Sequence, residues 1–398
     1  MLACHVLPEY EHVFRQYVAM RPVRLVDWPA LPVSAGGVGV PAGGGGGLES
    51  RGAPDNARDA TDTGAQVSEE TAALNFQELL LDHTVLHSLS VMFPLSPHYT
   101  LAFLKRFIAL VEESGVEVSE RLLTTYVDLL LKTPRRPEEG GPPLSPCYRT
   151  YCLTAPGRGY PVAERKPRTV DAMVLKESQL SVERGTTGLV TWKAALRLSE
   201  HILLNPFVVK GKRVLELGSG MGLAGFVCSY AGAKNVRLTD VHPAVIHGLR
   251  ENAKINGFLS APPPDHLPAV DVAALDWFDC TDDDLGGSAE AADVVIAADV
   301  VYDPTVVGAL ADVLARTLRL GRSEQWEERR ALVASTVRNR DTQEMFLRAL
   351  DAKGVLCKEV ETRRPAACRF FDTESSDVLI LELTVAAQCG APTTPCGT

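Results

Sequence analysis

Apolar residues recur at helical spacing through the first third of the chain. Residues 9–31 predict a short helix followed by a turn, because Phe14, Tyr17 and Val18 share one face and prolines follow. Residues 75–132 predict a helical region with successive amphipathic stripes, which we expect to form a core. The stripes consist of Phe76, Leu79, Leu80 and Val85, then Leu101, Leu104, Phe107, Ile108 and Val111, then Leu122, Leu123, Tyr126, Leu129 and Leu130.

From about residue 165 the pattern changes to short apolar strands that alternate with amphipathic helices. Strands are predicted at Val170–Lys176, Arg213–Leu217, Asn235–Thr239, Val270–Leu275, Asp293–Ala298, Arg330–Ser335 and Val378–Val385. Helices are predicted at Leu223–Tyr230, Ala244–Asn256, Pro304–Leu318 and Thr342–Lys353. We interpret the first strand as one arm of a hairpin that ends near Val182. The alternation predicts an α/β fold, in which helices wrap a parallel sheet.

Changes in composition divide the chain into segments. The glycine-rich and polar residues 34–67 cannot bury enough apolar surface to become ordered, so we predict a disordered insert there. We further expect a helical segment at 1–33, a helical domain at 68–135, a linker at 136–164, an α/β domain at 165–385 and a disordered tail at 386–398.

The overall composition is that of a globular protein, with 45% hydrophobic and 23% charged residues. The net charge of -10 disfavours direct binding of nucleic acid, which usually requires a basic patch. The nine cysteines form no Cys-x-x-Cys pair, so we expect reduced thiols and no metal site. The sequence shows no signal-peptide pattern and no apolar run of the roughly 18 residues that a membrane span needs. We therefore expect a soluble cytoplasmic protein.

A glycine-rich turn after the second predicted strand is the first candidate ligand site. Its sequence, Gly218-x-Gly220-x-Gly222, lets the backbone approach a ligand at the carboxyl end of a strand. A dinucleotide site has a further glycine where this chain has Leu223. The Glu216 carboxylate would repel a pyrophosphate but attract a ligand ammonium. The pattern therefore fits S-adenosylmethionine, which carries an ammonium and a sulfonium and no phosphate; a purely structural tight turn is the alternative.

Two further strand ends carry side chains that suit the rest of such a ligand. Asp240 lies about 20 residues beyond the glycine turn, where an acidic residue commonly binds ribose hydroxyls. Asp276 and Trp277 end the following strand, and a carboxylate beside a large ring can bind an adenine amino group and cover its face. The alternatives are a solvated Asp240, and a core Trp277 beside a helix-capping Asp276.

The strand that ends at Ala298 leads to the fourth candidate site. We expect this strand to adjoin the one before the glycine turn, so that Asp299 and Tyr302 face a transferable methyl group. A carboxylate and a phenol can accept hydrogen bonds from a cationic amine. An Asn-Pro-Pro-aromatic sequence, which would indicate methylation of nucleobases or glutamine, is absent here. In the alternative interpretation, Asp299 caps the helix predicted from Pro304.

Taken in order, these segments resemble the lysine-directed branch of the seven-β-strand methyltransferases, which share an Asp-x-x-Tyr/Phe motif after the fourth strand. A longer similarity is to the elongation factor 2 lysine methyltransferases of eukaryotes. It includes GTTGLVTW at 185–192, VLELGSGMGLAG at 214–225, LTDVH at 238–242, LDW at 275–277, VVIAADVVYDP at 294–304 and STVRN at 335–339. The resemblance implies a Rossmann-like methyltransferase domain at 165–385. The segments 34–67 and 261–268 and the tail after 386 depart from the family pattern.

The resemblance also implies a role for each candidate residue. The implied cofactor is S-adenosylmethionine, and the residues implied to bind it are Trp192, Glu216, Gly218, Ser219, Gly220, Asp240, Asp276, Trp277 and Ala298. Asp299 and Tyr302 would lie at the entrance for the acceptor, which the resemblance identifies as a lysine of elongation factor 2. Another protein lysine, a small molecule and RNA stay open as acceptors. For Trp192, packing in the core is the alternative.

The helical region before the α/β domain is not needed for cofactor binding in this interpretation. We expect residues 75–132 to form a platform that helps to select the protein substrate. The alternative is a lid that only stabilises the catalytic core. The sequence does not determine the oligomeric state.

Overall fold

The computed structural model describes residues 2–32, 68–155, 168–259, 269–287, 291–320, 329–361, 369–370 and 377–385. The predicted insert at 34–67, the segment 261–268 and the tail at 386–398 lie outside the described residues. Within the described ranges, no helix is long and apolar enough to cross a membrane.

The N-terminal part contains a three-stranded antiparallel sheet of β1 (Leu2–Val6), β2 (Cys147–Cys152) and β3 (Arg168–Glu177). β3 is the middle strand: β1 pairs with its first half and β2 with its second half. The structure therefore differs from the sequence prediction in several places. The chain begins with a strand rather than a helix, the expected linker at 136–164 contains β2, and the predicted hairpin after β3 is replaced by pairing with two distant strands.

Five helices accompany this sheet among the described residues. They are α1 (Pro8–Val18), α2 (Glu69–Asp82), α3 (Ser88–Met92), α4 (Pro97–Glu113) and α5 (Glu120–Lys132). Their apolar faces enclose a core in which Phe14 and Phe103 pack with Val170 and Val174 of β3. Most residues of the predicted helical stripes contribute to this core, but Leu79, Leu123 and Leu130 are exposed, so the prediction of a core is wrong at those positions. The residues that cover β3 come from both the first and the second predicted helical segment.

The remaining strands form a seven-stranded sheet. They are β4 (Arg213–Leu217), β5 (Asn235–Asp240), β6 (Ala269–Ala274), β7 (Val294–Ala298), β8 (Arg330–Thr336), β9 (Val355–Glu359) and β10 (Val378–Val385). Their order is β6-β5-β4-β7-β8-β10-β9, and β10 is antiparallel to both of its neighbours. The other neighbours are parallel. β4 and β7 lie side by side as predicted, so their carboxyl ends open at the same edge.

Helices cover both faces of this sheet, as the alternating pattern predicts. They are α6 (Lys193–Leu204), α7 (Leu223–Tyr230), α8 (Pro243–Ile255), α9 (Val307–Arg319) and α10 (Arg340–Asp351). Leu198, Phe226 and Leu249 belong to the core on one face, and Leu314 and Phe346 to the core on the other. β4 and β7 are almost wholly buried, because a parallel sheet is covered on both sides.

Two buried asparagines at the end of α8 connect the two sheets. The Asn256 side chain accepts a hydrogen bond from Val174 N at 2.9 Å and donates one to Val174 O at 2.7 Å. Asn252 accepts from Lys176 N at 2.8 Å and also donates to Met221 O in the glycine turn at 3.2 Å. Because β1 pairs only with the first half of β3, these amides satisfy backbone groups along the edge that β1 leaves open.

Candidate functional site

A cavity of about 640 Å³ opens at the carboxyl ends of β4, β5 and β7. Ligands of open α/β sheets bind at this edge, and the volume suits a small-molecule ligand. Every residue that the sequence predicts for the site lines this one cavity: Trp192, Glu216, Gly218, Ser219, Gly220, Asp240, Asp276, Trp277, Ala298, Asp299 and Tyr302. The sheet order brings them together from five separate stretches of the sequence.

The glycine turn forms the floor of the cavity, and its backbone requires glycine. Gly218, Gly220 and Gly222 have φ angles of +65°, +52° and +94°, a region that residues with a Cβ seldom adopt. A Cβ on Gly218 would also come within 2.8 Å of Val300 Cγ1. Ser219 fixes the turn to β5, since Ser219 N donates to Thr239 O at 2.8 Å and Thr239 N donates to Ser219 Oγ at 2.9 Å.

Asp240 lies at the end of β5 with its carboxylate turned toward the glycine turn. Gly220 N donates to its Oδ2 at 3.3 Å, and His242 N donates to its Oδ1 at 3.1 Å. Burial raises the pKa of this carboxyl group above its usual value, while the backbone donors act in the opposite direction. Each oxygen retains acceptor capacity for a ligand hydroxyl, because a carboxylate oxygen can accept more than one hydrogen bond.

Glu216 lies on β4 beneath the glycine turn and is buried. Burial raises the pKa of its carboxyl group to about 8. Among the described residues, none donates a hydrogen bond of good geometry to Glu216 Oε2. Oε2 lies against α7, since a Cβ on Gly225 would be 2.6 Å from it, and the Ser219 hydroxyl and the Gly225 backbone lower the pKa against the effect of burial. Glu216 lines the cavity, and its carboxylate is an acceptor that fits the ammonium at the amino-acid end of S-adenosylmethionine.

Asp276 and Trp277 lie on the wall of the cavity beyond β6. The Asp276 carboxylate is exposed, and its Oδ1 accepts a hydrogen bond from Phe278 N at 3.0 Å. The ring of Trp277 is partly buried, and its Cζ2 lies 3.5 Å from where a Gly218 Cβ would be. The structure thus brings an exposed carboxylate together with a ring that reaches the glycine turn, and the binding of adenine by this pair stays a prediction.

Asp299 is held more tightly than the sequence indicates. Its φ is +54°, and its side chain is 4% exposed. Thr336 N donates to Oδ1 at 2.8 Å, while Thr336 Oγ1 and Ala194 N donate to Oδ2 at 3.1 and 3.3 Å. The carboxylate therefore binds the first turn of α6 rather than capping the helix that follows it in sequence. α9 begins at Val307, and its N-cap residue makes no side-chain capping bond.

Trp192 and Tyr302 complete this end of the cavity. The indole N–H of Trp192 donates to Thr187 O at 2.9 Å, which fixes the ring against the loop before α6. Tyr302 is 56% exposed and lies at the mouth. The two residues thus differ in character: Trp192 is a fixed wall, whereas Tyr302 is accessible to a large partner.

Arg338 also lines the cavity, and the sequence pattern assigned it no role. Its guanidinium lies over the Trp192 ring, 5.1 Å from the ring centroid, and its Nη1 is 3.5 Å from Asp299 Oδ1. Arg338 follows β8, which is the neighbour of β7 in the sheet. Its position could have been inferred from the strand order, because the residues after adjacent parallel strands meet at one edge.

Comparison with known proteins gives a consistent identification. Residues 172–353 match a family model described as lysine methyltransferase. The protein-lysine N-methyltransferase EEF2KMT of Bos taurus is 35% identical over 325 residues, which cover 77% of this chain and 87% of the relative. EEF2KMT of Homo sapiens is 34% identical, with coverage of 77% and 85%. The protein-lysine N-methyltransferase EFM3 of Chaetomium thermophilum is 31% identical, with coverage of 66% and 75%.

The residues matched by the family model include the glycine turn and the strand ends that form the cavity. They confirm the family that the sequence motifs indicated, and with it the α/β fold and the methyl-donor cofactor. This chain belongs to the EEF2KMT family of S-adenosylmethionine-dependent protein-lysine N-methyltransferases.

Proposed function

We propose that this protein transfers methyl groups from S-adenosylmethionine to the side-chain amine of a lysine on translation elongation factor 2. The main support is that the proposed cofactor site and the proposed acceptor site lie in one cavity. The glycine turn lines one end of it, and Trp192, Asp299 and Tyr302 line the other. The choice of acceptor rests on the resemblance in sequence and on the names of the mammalian relatives. Since elongation factor 2 acts in translation, the proposal also assigns the reaction to the cytoplasm.

The cofactor end of the cavity suits each part of S-adenosylmethionine. Glu216 would take the ammonium, Asp240 the ribose hydroxyls, and Asp276 with Trp277 the adenine. Ser219, Gly218 and Gly220 would provide backbone that a ligand can approach, and Ala298 and Trp192 would border the methyl end. When bound, the cofactor supplies a methyl group that its sulfonium makes electrophilic, so the enzyme needs no nucleophile of its own.

The acceptor end must bring a neutral amine into line with that methyl group. The ordinary pKa of a lysine amine is about 10.4, so a proton must leave before the nitrogen can attack. The carbon–nitrogen bond then forms as the carbon–sulfur bond breaks. Alignment alone can contribute as much as about 7–11 kcal/mol. We assign this alignment to Asp299 and Tyr302: Asp299 acts by fixing α6 and Trp192, and Tyr302 by contacting the incoming side chain.

Methyl transfer in a cell lysate tests the class of acceptor. We expect labelled S-adenosylmethionine and the enzyme to label one protein of the size of elongation factor 2, with the label on lysine. The matched control is the Asp240→Ala variant, which should label that band far more slowly. Labelling confined to RNA or to small molecules would exclude a protein acceptor.

A further inference from the structure

Arg338 is the one permanent cation among the described residues that line the cavity. Four carboxyl groups line the same cavity, those of Glu216, Asp240, Asp276 and Asp299. A carboxylate near the acceptor amine poses a chemical problem, because an adjacent negative charge stabilises the ammonium form and raises its pKa. The ammonium has no lone pair and cannot accept a methyl group. The acceptor end therefore needs a positive charge beside Asp299.

The geometry of Arg338 meets that need. Its guanidinium contacts the Asp299 carboxylate at 3.5 Å and covers the Trp192 ring at 5.1 Å. The Asp299 side chain is almost fully buried, whereas that of Arg338 is 46% exposed. The long separation and the exposure make the ion pair weak by itself. The planar contact with the indole ring adds a cation–π interaction that holds the guanidinium in place.

We propose that Arg338 neutralises Asp299, so that the carboxylate orients α6 and Trp192 without holding the acceptor lysine in its protonated form. Arg338 is thus a positioning residue with an electrostatic effect on the substrate amine. The inference rests on the proposed function, since it assigns the amine to the Asp299 end of the cavity. The other titratable groups that line the cavity are Glu216, Asp240, His242, Asp276 and Tyr302, and Lys193 begins α6 directly after Trp192.

A change of charge at this position should alter the pH dependence of transfer. The pH profile of kcat reports groups in the enzyme–substrate complex, including the bound amine. In Arg338→Met, which keeps a long side chain over Trp192, the rise of kcat should move to higher pH by about half a unit or more. That shift corresponds to about a threefold loss of kcat near pH 7, with recovery in alkaline solution. Arg338→Lys should keep the wild-type profile.

A second measurement does not depend on transfer. S-adenosylmethionine carries a sulfonium charge that S-adenosylhomocysteine lacks, so the ratio of their dissociation constants reports the local field. Arg338→Met should shift this ratio about twofold or more in favour of S-adenosylmethionine, because a repelling cation is lost. Arg348→Met is the matched control, since Arg348 is an exposed arginine on α10 that does not line the cavity. Arg348→Met should change neither the pH profile of kcat nor the ratio of dissociation constants.

The outcomes separate the inference from the proposed function. A Met variant whose kcat falls by the same factor at every pH, with an unchanged ratio of dissociation constants, would overturn the inference. An Arg338→Lys variant that behaves like the Met variant would overturn it as well, because the planar contact rather than the charge would then matter. If the wild-type enzyme methylates no protein, the proposed function fails, while the ratio still reports whether Arg338 acts on a bound cation.

Discussion

At the scale of single residues, Glu216 links protonation to cofactor binding. Its carboxyl pKa is raised by burial to about 8, so the folded protein without cofactor carries Glu216 mainly in its neutral form at pH 7. Burial disfavours the ionised carboxylate, so the folded state is more stable in acid than in alkaline solution as far as Glu216 is concerned. This extra stability is complete below the ordinary pKa of about 4.5 and is lost as the pH rises through about 8. An ammonium bound beside Glu216 would favour the ionised form, so binding releases a proton.

We predict that the affinity for S-adenosylmethionine rises with pH toward about 8. Calorimetry at pH 7 in two buffers of different ionisation enthalpy should give different binding enthalpies, which measures the released proton. Glu216→Gln should bind more weakly and lose this dependence on the buffer. Identical enthalpies in both buffers for the wild-type protein would contradict the assignment of the ammonium to Glu216.

Asp240 should contribute to cofactor affinity through hydrogen bonds to the ribose. The Asp240→Ala change should weaken binding of S-adenosylmethionine by about 1.5–3 kcal/mol, the usual range for bonds to a charged group. Titration calorimetry measures the change, and circular dichroism checks the fold, because Gly220 N and His242 N lose a partner. A folded variant with wild-type affinity would remove Asp240 from the site.

Asp299 should affect transfer far more than binding. In Asp299→Asn, the amide NH₂ group would face the Ala194 N–H, donor against donor, and the first turn of α6 would shift together with Trp192. A small displacement of the groups that align the substrate can reduce turnover by about 100-fold. We expect the dissociation constant of the cofactor to change much less than turnover, because Asp299 makes no hydrogen bond with Glu216, Asp240 or the glycine turn, and equilibrium titration can check this. Near-wild-type turnover would leave Asp299 as a helix cap without a role in transfer.

At the scale of secondary structure, the C-terminal end of α8 makes the hydrogen bonds that a neighbouring strand would make to the second half of β3. Asn256 satisfies both backbone groups of Val174 on the edge of β3 that β1 leaves free. Asn256→Ala should lower the free energy of unfolding by about 2–5 kcal/mol, since two buried groups lose their partners. Chemical denaturation measures this quantity. Lys254→Ala, at an exposed position on α8, is the control and should change stability by less than about 0.5 kcal/mol.

The sequence predicts those helices and strands whose own residues show a clear pattern of apolar and polar positions. β4, α7 and β10 have the predicted bounds, because each is a continuous or periodic apolar run, the two strands within the covered sheet and the helix packed on its face. β1 and β2 were not predicted, since they are short and pair with a strand far away in the sequence. β9 was missed as well, because four of its five residues are exposed. Arg338 was missed for a related reason: its role depends on which strands are neighbours.

At the scale of the whole molecule, the N-terminal region and the catalytic domain share structure. β1 and β2 both pair with β3. The Glu177 carboxylate at the end of β3 accepts hydrogen bonds from Tyr151 Oη at 3.0 Å and from Thr191 Oγ1 at 2.7 Å. Thr191 directly precedes Trp192, so the N-terminal sheet supports the wall of the cavity. A role for the helices in selecting the substrate stays a prediction.

Removal of residues 1–160 tests whether the N-terminal region selects the substrate or only stabilises the catalytic domain. The fragment loses β1 and β2, which leaves β3 without its strand partners and Glu177 without Tyr151. We expect the fragment to aggregate or to unfold at a much lower temperature than the full chain, as calorimetry and light scattering can show. A folded fragment that binds the cofactor but does not methylate elongation factor 2 would instead support a pure recognition role.

The most direct test of the whole account is methyl transfer to purified elongation factor 2. The full-length enzyme and labelled S-adenosylmethionine are incubated with the factor, and peptides are then analysed by mass spectrometry. The account predicts added methyl mass on a lysine side chain, with the Asp299→Asn enzyme far slower under the same conditions. An enzyme that binds the cofactor normally but leaves every lysine of the factor unmodified would contradict it.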